Sequence, residues 1–256
     1  MGHAVALRKA LAGALLAGAA LASPARAEWS VYGELERFRW EEDVSPRVLE
    51  TGPMLGVGLR WRQDAPAALR FGYEARLYGG AVDYDGASLF GGTPLTGTTD
   101  YGGLRQELQA LFRPGAGGLE LLAGVGLDYW NRQLGADQHE EYRLAYVRLG
   151  VAFDRGGAAG WFAAGGVKHP FWTDENAHFP AIGFAPNPHL TPQGRPSLYG
   201  ELGYRLGRSW SLAGYYEGYR FEESDPVLVT DGASDFAFFQ PASTLDSFGL
   251  RLRYAF

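Results

Sequence analysis

Cysteine is absent from the 256 residues, lysine occurs only twice, and the net charge is not positive. The absence of cysteine excludes a disulfide scaffold, a thiolate metal site, a cysteine nucleophile and a lipid-anchored lipoprotein. The formal charge of −6 excludes a strongly basic protein, so nucleic acid is not expected as a partner. Helical periodicity is also scarce, whereas 37 glycines and 14% aromatic residues indicate an ordered sheet protein.

Residues 1–27 have the pattern of a cleaved secretory signal peptide. Arg8 and Lys9 form a positive start, residues 10–22 form an uncharged run, and Ala25-Arg26-Ala27 offers small residues before a cut. Cleavage there leaves residues 28–256 as one domain. After Ala27 no apolar run approaches the length of a transmembrane helix, so none is expected.

Apolar and polar residues alternate with a period of two along the mature chain, which predicts β-strands. In the strand near 67–80, for example, Phe71 and Tyr73 alternate with Arg70 and Glu74. The pattern predicts ten strands, near 28–40, 51–63, 67–80, 99–113, 118–131, 140–154, 160–169, 196–206, 209–222 and 243–256. Eight strands are the alternative, if 160–169 is not a strand.

Short turns alternate with long loops between these strands. The long connections are polar or rich in glycine and proline and lie near 41–50, 81–98, 131–139, 170–195 and 223–242. Short turns on one side and long loops on the other are typical of a transmembrane β-barrel, whose turns face the periplasm. We therefore predict an all-β fold, a single closed antiparallel transmembrane barrel.

Aromatic residues gather on the apolar face at the strand ends next to the short turns. They are Trp29, Trp61, Phe71, Phe112, Phe153, Trp161, Tyr204, Trp210 and Tyr254. A ring of aromatics at one level is an interfacial girdle, so the apolar face is predicted to contact lipid and most aromatics to belong to the girdle.

The chain ends in Arg253-Tyr254-Ala255-Phe256, after alternating apolar residues. This ending resembles the C-terminal assembly signal of bacterial outer-membrane β-barrel proteins, and the chain resembles a small porin-like or opacity-like member of that class. The resemblance implies location in the outer membrane of a Gram-negative cell envelope. It also implies outer-membrane lipid and lipopolysaccharide as surroundings, and contact of the strand ending at Phe256 with the barrel-assembly machinery. No cofactor and no metal are expected.

The polar face is predicted to line the lumen, with equal numbers of arginines and acids. The predicted lumen residues are Glu34, Glu36, Arg60, Arg70, Glu74, Arg76, Arg105, Glu107, Glu120, Asp128, Arg148, Glu201, Arg205, Glu217, Arg251 and Arg253. Because the first and last strands must meet, Glu34 or Glu36 is expected to pair with Arg251 or Arg253. Two interpretations stay open: an ion-pair network that fills the barrel, and a narrow pore whose charges set selectivity.

The excess negative charge falls on the loops, where we expect a solvated acidic rim. The rim residues are Glu41, Glu42, Asp43, Asp83, Asp85, Asp137, Glu140, Asp174, Glu175, Glu222, Glu223, Asp225, Asp231 and Asp235. The long loops at 81–98, 170–195 and 223–242 could form an adhesive or ligand-binding surface. Phe236, Phe238 and Phe239 form an aromatic cluster there that we expect to fold over the barrel mouth.

A surface protease is the main catalytic alternative. Asp83 and Asp85, at the top of the third strand, resemble the Asp-x-Asp pair of the ten-stranded omptin family. Asp174 and His178 resemble its Asp-x-His pair in type, but their four-residue spacing departs from that pattern. A His–Asp couple with carboxylates can deprotonate a water molecule. A lipid-modifying enzyme using His169, His178 or His189 lacks a nucleophile motif. We therefore expect a non-enzymatic protein.

Overall fold

The computed structural model describes residues 27–64, 67–87, 92–115, 117–136, 138–154 and 156–256. The predicted signal segment lies outside the described residues except for Ala27, and so does the predicted rim residue Asp137. No helix in the described part of the chain is long and apolar enough to cross a membrane.

The described residues form thirteen strands, and ten of these strands form a closed antiparallel barrel. The barrel strands are β1 (Ala27–Glu42), β2 (Val48–Gln63), β3 (Leu69–Ala87), β4 (Pro94–Phe112), β5 (Leu119–Gln133), β6 (His139–Asp154), β7 (Ala159–Asn176), β9 (Ser197–Leu206), β10 (Trp210–Phe221) and β13 (Ser243–Ala255). Strand β13 pairs with both β10 and β1, which closes the ring. The ten predicted strands are confirmed and the eight-stranded alternative is wrong.

The barrel strands are longer than the alternation predicts, mainly at the loop end. On β6 the outward-facing residues are apolar from Phe153 to Ala145 and become charged at Arg143. Nine residues of a strand tilted by about 40° rise about 23 Å, close to the ~25 Å apolar band of a membrane barrel. The strands therefore continue above the apolar belt, as β3 and β4 do around their hairpin.

The predicted girdle residues lie on the outer face at the turn end. Trp29 is opposite Trp61, Trp161 is opposite Tyr204, and the Trp210 and Tyr254 rings are 4.9 Å apart. Trp161 is 63% exposed, as expected for a side chain that faces lipid. The strand register thus brings several girdle residues of neighbouring strands together at the turn end.

A bulge interrupts β7 at Pro170. Tyr146 is opposite Pro170, but Ala145 is opposite Trp172, which leaves Phe171 as the extra residue. Proline has no N–H to give to the ladder, and bulges are one of the few places where a sheet tolerates it. The bulge exchanges the two faces of β7, so that Asp174 points outward and Glu175 inward.

The loops 170–195 and 223–242 contain structure that the sequence pattern does not predict. A 3₁₀ helix (Phe179–Ile182) and a hairpin of β11 (Val227–Thr230) and β12 (Asp235–Phe238) pack together. Strand β8 (Gly194–Arg195) joins the loop to β10. We call this unit the cap, and its small core consists of Phe179, Phe184, Leu190, Val229, Phe236 and Phe238.

The tip of the β11–β12 hairpin is a tight turn. The Asp231 carboxylate accepts hydrogen bonds from the backbone N–H groups of Ala233 and Ser234, and these bonds hold its pKa below the usual value. Phe236 and Phe238 pack inside the cap, whereas Phe239 remains 42% exposed. Phe236 and Phe238 thus belong to the cap core, while Phe238 and Phe239 line the cavity at the outer mouth.

Candidate functional site

All sixteen predicted lumen residues lie on the inner face of the barrel strands, where their side chains are buried or half-buried. The predicted closing pair is present, because Arg251 Nε donates to Glu34 Oε1 at 2.5 Å. Arg76 contacts Glu34 and Glu36 at 2.5 and 2.7 Å, which ties β3 to β1. Each of these charges therefore has an opposite charge within hydrogen-bond distance, as burial requires.

A second group of ion pairs converges on Glu217 of β10. Its Oε1 atom lies 2.6 Å from Arg148 Nη2, 2.5 Å from Lys168 Nζ and 3.2 Å from Arg105 Nη1. Lys168 is completely buried and was not among the predicted lumen residues. The alternation of β7 places Lys168 on the inner face. The prediction missed it because every other cation expected in the lumen is an arginine.

Tyrosines complete the polar layer, and the sequence pattern alone does not single them out. The Tyr146 hydroxyl donates a hydrogen bond to Glu107 at 2.7 Å, and the hydroxyls of Tyr78 and Tyr219 both donate hydrogen bonds to Asp128. Inner-face glycines make room for such rings. A side chain at Gly126 would overlap the Tyr146 ring.

Above the ion pairs, a layer of large apolar side chains occupies the outer half of the lumen. The layer consists of Phe38, Trp40, Met54, Val82, Tyr101, Trp130, Tyr142, Leu144, Tyr146, Tyr219, Phe221 and Leu245. We call it the aromatic plug. The Trp130 and Tyr142 rings stack 5.0 Å apart, and Trp40 packs 5.6 Å from Tyr142. The expectation that most aromatics belong to the girdle is thus wrong, because the inner positions of the outer half are also aromatic.

The plug and the ion pairs leave little free space between the two ends of the described barrel. Trp40, Trp130 and Tyr142 are at most 1% exposed, although they face the lumen. A cavity of about 60 Å³ beside Glu217 and Arg251 lies between larger cavities of about 450 Å³ at the turn end and 380 Å³ at the outer mouth. Side chains that lined an open water channel would be exposed to it.

The outer cavity lies between the cap and the tops of the strands. Arg132, Glu42 and Glu140 form its charged floor, with Arg132 at 3.1 Å from Glu42 and 2.7 Å from Glu140. Arg132 also contacts the fully buried Glu50 at 2.7 Å. Glu175 adjoins them and is 1% exposed. With its amide nitrogen directed at this carboxylate, Gln240 donates to both oxygens at 3.1 and 3.3 Å.

Three residues of the predicted solvated rim are therefore not on a rim. Glu42, Glu140 and Glu175 are buried because the strands continue above the membrane and the cap covers them. The opposite wall is apolar and includes Leu95, Leu134, Ile182, Leu190 and Phe239. An acidic floor beside an apolar wall suits a small molecule with a cationic group and an apolar body.

The four residues of the protease alternative do not form one group. Asp83 and Asp85 are exposed on the outer face of β3, and three strands separate β3 from β7 in the ring. Asp174 lies on the outer face of β7 and contacts His189 Nδ1 at 2.7 Å. His178 stacks on His139 with ring centroids 3.8 Å apart, and its Nε2 is 3.8 Å from Glu141.

No metal site is formed by the described residues, since no three His, Asp or Glu side chains among them are arranged to hold an ion. The omptin-like pattern pairs Asp174 with His178, but Asp174 contacts His189 instead. Sequence spacing does not predict this contact, because its members lie 15 positions apart and the chain between them passes through the cap.

The fold is that of bacterial outer-membrane β-barrels, as predicted. The outer membrane protease OmpT of Escherichia coli superposes with a TM-score of 0.51 and 9% identity, over 91% of this chain and 98% of that chain. The β domain of the Bordetella autotransporter BrkA gives 0.47 and 14%, over 89% and 99%. The Yersinia pestis attachment invasion locus protein Ail gives 0.36 and 10%, over 90% and 99%.

No protein-family model matches the sequence, and no curated protein matches it. At these identities the similarity shows the fold alone. A barrel fold hosts many activities, so function has to be argued from the interior and the mouth.

Proposed function

We propose that this protein is a non-conducting, non-enzymatic outer-membrane barrel that acts through its capped outer mouth. The aromatic plug carries the proposal, since Trp40 and Trp130 are buried at positions that face the lumen. Ten strands are close to the number at which side chains fill a barrel, whereas sixteen leave a channel. Below the plug, the pairs on Glu217 and Glu34 connect β1, β3, β4, β6, β7, β10 and β13 across the lumen.

Reconstitution into planar lipid bilayers tests this function. We expect no steady unitary currents from the purified barrel, because water cannot pass the plug and the ion-pair layer. A sixteen-stranded porin reconstituted in the same way is the positive control. Stable single-channel steps, or swelling of liposomes in small sugars, would favour the narrow pore instead.

The cap favours a binding role at the cell surface rather than a function inside the barrel. Its own core packs Phe179 against Phe238 at 5.1 Å and Phe184 against Phe236 at 5.4 Å, which gives the loops a defined shape. The cavity beneath it, with an acidic floor and an apolar wall, is the best-formed place for a ligand on this side. Preformed concave sites of this size are typical of small-molecule binding.

A hydrolase receives less support from the geometry. Asp83 and Asp85 lie on the outer face of β3, away from the His189–Asp174 pair, and a water-activating site needs its carboxylates and histidine around one water. Incubation of the purified barrel with casein is the measurement, with Asp174→Asn as the control. We expect no cleavage by either protein; cleavage that is lost in Asp174→Asn would overturn this assignment.

A further inference from the structure

A large cavity opens at the turn end of the barrel, the end that we predict to face the periplasm. It measures about 450 Å³ and exists because several strands carry small residues on the inner face at this level. These residues are Ser30, Ala152, Ala164, Ser211 and Ala255. Charged side chains of both signs line the space that they leave: Arg60, Arg62, Arg205, Arg208 and Arg253 together with Glu28, Glu120, Asp154 and Glu201.

Arg60 and Arg62 differ from the other arginines of the lumen. They stand two residues apart on the inner face of β2, and both line the cavity. Among the described residues, the nearest carboxylate oxygens are Glu74 Oε2 at 4.0 Å from Arg60 and Glu120 Oε2 at 3.9 Å from Arg62. Most lumen arginines have an Nε atom without an acceptor among the described residues, so the long distance to the nearest carboxylate is what sets Arg60 and Arg62 apart.

The two carboxylates nearest to these arginines are already engaged by closer donors, whereas the exposed Glu28, opposite Arg62 in the β1–β2 register, lines the cavity more than 4.0 Å from either guanidinium. Glu120 accepts from Arg70 and from Arg113, the latter at 2.7 Å. Glu74 accepts the Tyr32 hydroxyl at 2.8 Å.

The carboxylates on the opposite side of the cavity are also engaged by arginines. Glu201 accepts from Arg251 at 2.5 Å, and Asp154 accepts from Arg205. Arg60 and Arg62 thus keep guanidinium donors that face a space open to water.

We infer that Arg60 and Arg62 form a binding site for an oxyanion of the phosphate class that enters from the periplasmic side. Two neighbouring guanidinium groups present parallel N–H donors, and such forks bind phosphate oxygens in pairs. The cavity has room for inorganic phosphate or pyrophosphate together with several waters. The phosphate group can come from a soluble anion or from the headgroup of an inner-leaflet phospholipid.

Calorimetric titration of the full barrel in a zwitterionic detergent with inorganic phosphate and pyrophosphate tests the site. We expect pyrophosphate to bind more tightly than phosphate, and Arg60→Gln and Arg62→Gln each to weaken binding about tenfold or more. Arg143→Gln is the matched control, because Arg143 is an exposed arginine at the opposite end of the barrel. Heat-modifiable gel migration verifies that each variant is folded.

Equal affinity in wild type and Arg62→Gln, or an equal loss in Arg143→Gln, would overturn the site. Reconstitution in phosphatidylcholine with and without phosphatidylglycerol separates the two sources of phosphate. Phosphatidylglycerol that displaces pyrophosphate from wild type identifies the headgroup, and unchanged pyrophosphate binding identifies a soluble anion. The inference does not rest on the absence of conductance, so either proposal can fail alone.

Discussion

At the scale of single residues, Glu217 is the centre of the ion-pair layer. Three cations from β4, β6 and β7 approach its carboxylate within 3.2 Å. Lys168 in addition lies 3.2 Å from the centre of the Tyr219 ring. One carboxylate therefore compensates several charges that are removed from water.

Replacement of Glu217 by Gln is expected to destabilise the barrel by about 3–5 kcal/mol, because buried cations lose their counter-charge. Urea unfolding from lipid vesicles, followed by tryptophan fluorescence, measures the change. Glu222→Gln is the control: its pair with Arg195 at 3.0 Å is exposed, so about 0–1 kcal/mol is expected. Equal losses in the two variants would show that the interior pairs contribute no more than surface pairs.

For the acids of the outer mouth, apolar–polar alternation predicts the inward direction of some side chains and not of others. Glu42 and Glu140 share the parity of the lumen residues on their strands, so extending the alternation beyond the membrane would have placed them inside. Glu175 has the opposite parity to Lys168, and only the bulge at Phe171 turns it inward. A bulge changes the register by one residue, and nothing in the local composition announces where that happens.

At the scale of elements, the cap is the part of the fold that apolar–polar alternation does not predict. Its hairpin has strands of four residues, too short for a periodic signal, and its 3₁₀ helix has four residues. What holds it is a small cluster of phenylalanines from segments more than 50 residues apart, with Phe179 against Phe238. The aromatic content of 223–242 indicated packing, but the partner in 170–195 becomes evident only in three dimensions.

Phe238→Ala is expected to open the cap while leaving the barrel folded. The ring contacts Phe179 and Phe184 at 5.1 and 5.4 Å, and truncation leaves a hole in this small core. We expect proteinase K to cleave within 223–242 at least about tenfold faster, the effect of ~1.4 kcal/mol on the opening equilibrium.

Leu228→Ala, on the same hairpin, is the matched control for this experiment, because Leu228 is 71% exposed. Its cleavage rate is expected to stay near that of wild type. Similar acceleration in both variants would mean that the phenylalanine cluster does not hold the cap. Unchanged heat-modifiable migration of both would show that the barrel folds without it.

At the scale of the whole molecule, the barrel is built in layers along its axis. Arginines and carboxylates line the turn-end cavity, and balanced ion pairs fill the middle. The aromatic plug follows, and Arg132 with its acidic partners forms the floor of the outer mouth. The strand count and the charged inner face were predictable because each depends on a period of two. The plug was not, because girdle and plug residues are of the same types and differ only in the face and level at which they lie.

The outer belt makes a prediction that depends on depth in the membrane. Leu149 is 64% exposed and stands midway between Phe153 at the girdle and Ala145 at the upper edge of the belt on β6. Leu206 is 60% exposed but lies at the turn end of β9. Leu149→Arg is expected to destabilise the barrel by about 2–4 kcal/mol and Leu206→Arg by about 0–1 kcal/mol, since the cost of a cation falls from the midplane to the interface.

Reversible urea unfolding in vesicles of short-chain phosphatidylcholine measures both variants of this pair. Repeating it in detergent micelles is the control, because a micelle lets the arginine reach water at either depth and should reduce the difference. If Leu149→Arg cost no more than Leu206→Arg in vesicles, the face that carries Leu149 would not cross the middle of a bilayer. The assignment of the apolar face to lipid, and with it the interior position of the ion pairs, would then be wrong.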